Sequence, residues 1–362
     1  MKLLEQFQSK ELSLKNRVVM APMTRCRADN EGNVATDLIA QYYAQRASAG
    51  LLITEGTFVN EMAPGYINVP CIYTQEQVEG WKKVTTAVHQ EGGKIFAQLW
   101  HVGRLSHPDL LNGNLPLGPS AINGRFTCYT KDGFKETITP QEMTIEDIAQ
   151  TIQDFKQAAV NSIEAGFDGV EIHAANGYLF HQFFAKCSNI RTDEYGGTIA
   201  KRLRFLFEVL DAISEKIGDE KIAVRIAPSF DQTFGIVLDD EAEALYDILV
   251  SKLNDYKLAY LHISGFTQAS VEDPMRIVLE TAKHFRSIYN GTLMINKGFD
   301  AVTANQVVAD GIADLVSFGE AYIGNPDLVE RFAANAPLNG NDRTTYYTGG
   351  AKGFTDYSLY HN

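Results

Sequence analysis

The hexapeptide His173-Ala174-Ala175-Asn176-Gly177-Tyr178 directly follows the apolar run Gly169-Val170-Glu171-Ile172. An imidazole and a carboxamide can each donate a hydrogen bond to one substrate oxygen, and a phenol can deliver a proton. Together they could activate a carbonyl or nitro group. That chemistry requires the three side chains to converge, as they do where a buried strand opens into a loop at the catalytic face of a barrel. Strand alternation puts Glu171 and His173 on one face, with Glu171 deeper.

The elements that could position such a set recur along the chain. Short apolar runs at 17–23, 51–56, 94–100, 169–173, 222–227, 259–264, 292–296 and 314–318 have the Val, Ile, Leu and Phe content of strands buried on both faces. Segments of helical periodicity fall between or after them, at 38–49, 76–90, 145–165, 199–217, 240–254 and 325–333. Eight strands alternating with helices predict a single-domain α/β fold over 1–362, a closed (β/α)8 TIM barrel. An open doubly wound sheet lacks support, because no GxGxxG follows the first strand. Residues 1–15 are expected to cover the barrel floor. The stretch 101–141 has no clear helix and is dense in Gly, Pro, Asn and Thr, so it reads as a structureless excursion over the barrel top, a candidate lid.

Composition narrows the partners. A formal net charge of -13 (32 Lys+Arg against 45 Asp+Glu) argues against a nucleic-acid partner. The four cysteines, Cys26, Cys71, Cys128 and Cys187, form no CxxC pair, so neither a metal knuckle nor an iron–sulfur centre is expected. No segment has the length of apolar residues that a membrane span needs, and Met1-Lys2-Leu3-Leu4-Glu5-Gln6 is charged where a secretory signal is apolar. The expectation is a cytoplasmic protein acting on a small molecule, with no membrane partner and with monomer and homodimer both open.

The other strand ends point to a cofactor. The first ends in Ala21-Pro22-Met23-Thr24-Arg25, the second in Glu55-Gly56, and the third carries Gln98 and Trp100. The fifth carries Arg225, the seventh runs into Lys297-Gly298, and the eighth into Gly319-Glu320. Glycines after strands seven and eight free backbone N–H groups to cradle a phosphate, a recurrent use of this barrel. A phosphate at one side, Gln98 and Arg225 in the middle and Thr24 opposite describe a planar heterocycle with a phosphate tail. FMN fits that description.

These segments resemble the old yellow enzyme family of FMN-dependent ene-reductases, close to the bacterial N-ethylmaleimide and nitroester reductases. The likeness runs from about Asn16 to Tyr357. Besides the strand ends already named, it covers Gln98-Leu99-Trp100-His101-Val102-Gly103-Arg104, Asn189-Ile190-Arg191-Thr192-Asp193-Glu194-Tyr195-Gly196-Gly197 and Asn325-Pro326-Asp327-Leu328. The resemblance implies that Thr24 tunes the flavin, that the segment Ala21-Pro22-Met23, Gly56 and Gln98 hold the ring edge, and that Arg225 faces its pyrimidine side. It further implies that His173 and Asn176 bind the activating oxygen, that Tyr178 donates the proton, and that Tyr66, Trp100 and Tyr347 line the substrate side. NADPH or NADH would be the reductant, and an electron-poor alkene, quinone, maleimide or nitro compound the acceptor.

One position departs from the family pattern. Where an arginine usually follows the glycine of strand eight and pairs with the FMN phosphate, this chain has Glu320. The expectation is that Lys297 supplies the cation while Glu320 turns to solvent. Three alternatives compete: another FMN barrel, a flavin binder without activity, and a barrel glycosidase. The last would draw on Glu55, Glu171 and Glu320, since glycoside hydrolysis needs a carboxylate pair.

Overall fold

A computed structural model describes residues 1–265 and 273–360. Eight parallel strands close into a barrel: β1 (Val18–Met20), β2 (Leu51–Phe58), β3 (Ile95–Trp100), β4 (Gly169–Ala174), β5 (Ile222–Ile226), β6 (Tyr260–Ser264), β7 (Leu293–Asn296) and β8 (Leu315–Phe318). Each neighbour follows in chain order, and β8 pairs β1 to close the ring. The surrounding helices are α1 (Asp37–Ala44), α2 (Gln75–Gln90), α3 (Ile145–Glu164), α4 (Ile199–Ile217), α5 (Ala242–Lys252), α6 (Pro274–Arg286), α7 (Ala301–Ala309) and α8 (Leu328–Ala334).

Helix starts follow local chemistry. Thr74 and Thr144 each accept from the N3 backbone N–H, and Gln77 and Asp147 reciprocate to the cap, which closes two capping boxes. The barrel strands are buried along nearly their whole length because both faces are covered. Outward residues such as Leu52, Leu99, Ile172, Ile226, Ile263 and Val316 pack in the main core against the helices.

Inward residues form layers. The lowest is apolar: Val19, Ile53, Phe96, Ala223, Tyr260, Met294 and Leu315 pack together, and Phe7, Leu12 and Leu14 join them from the N-terminal hairpin. One residue pair higher, the interior turns polar with Gln98, Glu171, Arg225, His262 and Ser317, all buried. Alternation makes this change of layer the level at which a ligand above the barrel could meet side chains from below.

The stretch 101–141 is not structureless, which corrects the expectation from sequence. It contains a 3-10 turn (Pro108–Leu110) and a β-hairpin pairing Thr127–Thr130 with Gly133–Glu136. Gly133 adopts φ +99° at the hairpin turn, a conformation that favours glycine. The Asp132-Gly133 pair was the available signal. Arg191 ties the middle of the excursion to the residues just after it, donating from Nη1 to the carbonyls of Pro119 (3.0 Å) and Met143 (2.6 Å). No helix among the described residues is long and apolar enough to cross a membrane.

Candidate active site

At the C-terminal ends of the strands the barrel opens into a cavity of roughly 440 Å³. Pro22, Met23, Thr24, Tyr66, Asn176, Tyr178, Glu320 and Tyr347 line it, together with Phe234, Arg343 and Tyr346. A larger cleft of about 660 Å³ lies at the opposite end beside Phe7, Tyr256 and Arg286, and none of the expected site residues line it. The chemistry-bearing residues decide between the two, in favour of the barrel top.

His173 is the last residue but one of β4, with its ring nearly enclosed, and its Nδ1 accepts from the backbone N–H of Ala175 (3.4 Å). Burial, with help from Arg225, holds the imidazole well below its usual pKa, so it is neutral. A neutral ring that accepts at Nδ1 carries its proton on Nε2 and can donate there. Asn176 sits at φ +55° in the turn that follows. Its Oδ1 accepts from the Ser264 hydroxyl (3.1 Å), which leaves the amide Nδ2 as the free donor.

Tyr178 begins the short helix Leu179–Phe184. Its hydroxyl lies near that of Tyr66, and burial raises its pKa to about 12, so it keeps its proton. Trp100 organises these rings from behind. It stacks on Phe58 (5.0 Å between centroids), Tyr66 (5.7 Å) and His173 (6.0 Å), and meets Tyr178 edge-on (4.9 Å). Expected as a lining residue, Trp100 is only 2% exposed and supports the lining residues from underneath.

A bulge shapes the end of β2. The register against β3 shifts between Ile53 and Gly56, so Gly56 pairs with Gln98. A Cβ at Gly56 would lie 2.2 Å from Trp100, so only glycine lets the indole pack there. The bulge also turns Glu55 out of the interior. Its Oε2 accepts from the backbone N–H groups of Arg25 (3.0 Å) and Cys26 (3.4 Å), which ties down the loop carrying Thr24.

The three candidate glycosidase carboxylates therefore do not form a pair. Glu55 holds the first loop, Glu171 bonds Gln98 and His262 inside the barrel, and Glu320 pairs with Arg343 (3.2 Å) and Tyr346 (3.0 Å). Glu320 is exposed, as the sequence led us to expect, and at the surface it meets Arg343. A cation and a phenol on the C-terminal segment draw it aside.

The fit to a flavin phosphate ester can be judged from the protein alone. Arg225 is a buried cation whose Nε has no partner and whose contacts to Ser264 and Asn296 are long, 3.5 Å each. It is short of an acceptor above it. Gly298 at φ +54° has open space around its missing Cβ, and Gly319 meets only Met23, so backbone can approach a ligand closely at both. Lys297 is half-buried, which lowers its pKa, and it makes no ion pair among the described residues. Ala21 spends its N–H on the Phe318 carbonyl (3.0 Å) and fixes the start of the first loop. These features fit FMN.

Sequence reasoning missed His262, Ser264 and Ser317, which complete the polar interior beside Asn296 at the end of β7. The two-residue period of β6 carried the signal, since 260, 262 and 264 share the inward face. It also missed Phe234, Arg343 and Tyr346, whose loops no local pattern brings to the mouth.

Residues 2–339 match the NADH:flavin oxidoreductase / NADH oxidase family. A putative 12-oxophytodienoate reductase 6 from Oryza sativa subsp. japonica is 43% identical over 351 residues, 96% of this chain and 88% of the relative. A morphinone reductase solved in complex with tetrahydroNAD superposes with a TM-score of 0.91 at 41% identity, covering 100% of this chain and 98% of its own. The old yellow enzyme homologue from Zymomonas mobilis gives 0.92 at 36% identity, covering 99% and 100%. With this barrel and this mouth, the chain belongs to the NADH:flavin oxidoreductase / NADH oxidase family, as an FMN-dependent, NAD(P)H-driven oxidoreductase of the old yellow enzyme type.

Proposed function

We propose that this protein reduces the activated C=C bond of α,β-unsaturated carbonyl compounds, and that quinones, maleimides and nitroesters are further acceptors of the same site. One observation carries the reading. Two hydrogen-bond donors, Nε2 of His173 and Nδ2 of Asn176, are each fixed by a bond on their other side, and a protonated phenol stands beside them.

The assignment of roles follows from those bonds. His173 and Asn176 hold the carbonyl oxygen and stabilise the charge that develops on it, as preorganised donors do. Tyr178 holds the proton that the α-carbon receives. Thr24, Gly56, Gln98 and Arg225 would hold the isoalloxazine ring, with Ala21, Pro22 and Met23 shaping its edge, and Lys297, Gly298 and Gly319 would hold the phosphate. Glu320, paired with Arg343, borders that side. FMN held there would supply hydride chemistry between NADPH or NADH and the acceptor.

Tyr66 and Tyr347 line the substrate side, and the hairpin of the 101–141 excursion walls it. Tyr129 bridges to Tyr66, and Phe126 packs on Phe234 at 4.2 Å. The test is anaerobic turnover. Purified protein should be yellow and should oxidise NADPH with 2-cyclohexenone. Yellow protein that reduces no enone would leave a flavin binder, and colourless protein that takes up no FMN would end the reading.

A further inference from the structure

Under the mouth lies a chain of contacts that these roles leave unused. Nε2 of Gln98 donates to Oε1 of Glu171 (2.8 Å), Oε2 of Glu171 meets Nδ1 of His262 (2.9 Å), and Nε2 of His262 meets the Ser317 hydroxyl (2.9 Å). The four side chains come from β3, β4, β6 and β8, and none is more than 2% exposed.

Chemistry fixes the direction of every bond in that chain. Burial pushes the Glu171 carboxyl up, but its contact with His262, the charge of Arg225 and the bond from Gln98 hold it below its ordinary value. Glu171 is thus an ionised carboxylate, which only accepts. His262, kept neutral by burial, must place its proton on Nδ1 and accept from Ser317 at Nε2. The same constraint acts on Gln98. Its amide nitrogen must face Glu171, so its carbonyl oxygen is turned the other way, and no described residue donates to that oxygen.

We propose that Glu171, braced by His262, is a positioning residue that locks the Gln98 amide with its oxygen presented to the cofactor, and so selects a ring bearing an N–H on its pyrimidine edge. Oxidised isoalloxazine has one such group, N3–H. The proposal rests on the FMN reading above. An uncharged amide at position 171 could donate as well as accept, so Gln98 would be free to turn over and set one N–H against another.

The experiment is fluorescence titration of the apoprotein with FMN and with its N3-methyl analogue. Uptake of FMN by the wild-type protein tests the FMN reading separately. Given that uptake, Glu171→Gln should weaken FMN binding about tenfold, the scale of one hydrogen bond in a buried site. Its preference for FMN over the N3-methyl analogue should fall at least about threefold. In a Gln98→Ala background the same substitution should change FMN affinity less than about twofold, because its effect runs through Gln98. Should Glu171→Gln fail to fold, His262→Gln carries the same cycle, with an effect on FMN affinity that again disappears without Gln98. An unchanged preference ratio, or effects that simply add in the cycle, would overturn the proposal while leaving the FMN reading intact.

Discussion

The Ser264 hydroxyl, on β6, donates to Oδ1 of Asn176, beyond the end of β4, across 3.1 Å. That bond decides which end of the carboxamide faces the cavity, so a residue with no direct role in the chemistry sets the polarity of the substrate grip. Ser264→Ala should raise KM for 2-cyclohexenone about three- to tenfold, the scale of losing one hydrogen-bonded orientation. FMN affinity should change little. Steady-state kinetics beside an FMN titration would show it, and an equal loss in both would mean that Ser264 serves the cofactor instead.

Tyr178 keeps its proton because burial raises its pKa to about 12. Tyr178→Phe removes that proton and preserves the ring that packs on Trp100. Alkene reduction should slow by about a hundredfold or more, in the usual range for a lost general acid. Flavin reduction by NADPH needs no proton from this group and should be within about twofold of wild type. Stopped-flow measurement of the two half-reactions separates these outcomes.

Glu55 gives the fold a pH dependence. Burial raises its pKa from 4.5 to about 7, against the opposing pull of the Arg25 and Cys26 N–H groups. The folded state therefore keeps a proton that the unfolded chain has already released. Stability should fall as pH rises from about 4.5 to 7, by up to about 3 kcal/mol from this group. Glu55→Gln mimics the protonated form and retains one acceptor oxygen, so it should flatten that slope. Urea melts of both proteins at pH 5 and pH 8 would test it: equal slopes would show that Glu55 is already ionised at pH 5.

Much of this was legible in the residues. Strand positions could be read because strands buried on both faces are runs of Val, Ile, Leu and Phe, as at 222–226 and 315–318. His173, Asn176 and Tyr178 stood out because three polar groups follow such a run directly. The hairpin at 127–136 was obscured by a polar, half-exposed composition that resembles loop. The bulge in β2 was hidden as well, since strict alternation would have left Glu55 facing inward. Arg343 and Tyr346 could not be found locally, because what brings them to Glu320 is the return of the C-terminal segment over the barrel mouth.

Lys297 and Glu320 make a further prediction. Arg343 and Tyr346 hold the carboxylate, while Lys297 has no ion-pair partner among the described residues and stands beside Gly298. Lys297→Ala should weaken FMN binding about tenfold, in line with a charge-assisted bond to phosphate, and should leave riboflavin affinity unchanged because riboflavin has no phosphate. Arg343→Ala should also weaken FMN binding, since it releases Glu320 toward the phosphate. Parallel titrations with FMN and riboflavin would read both effects, and identical losses for the two ligands would remove Lys297 from the phosphate site.

The most direct test of the paired donors is equilibrium binding of a para-substituted phenol to the FMN-loaded protein, compared with His173→Ala and Asn176→Ala. A phenolate oxygen imitates the activated carbonyl, so each substitution should weaken binding by roughly ten- to a hundredfold, the cost of a hydrogen bond to a charged group. Phenol affinity that is unchanged in both variants would contradict the claim that these two side chains grip the acceptor.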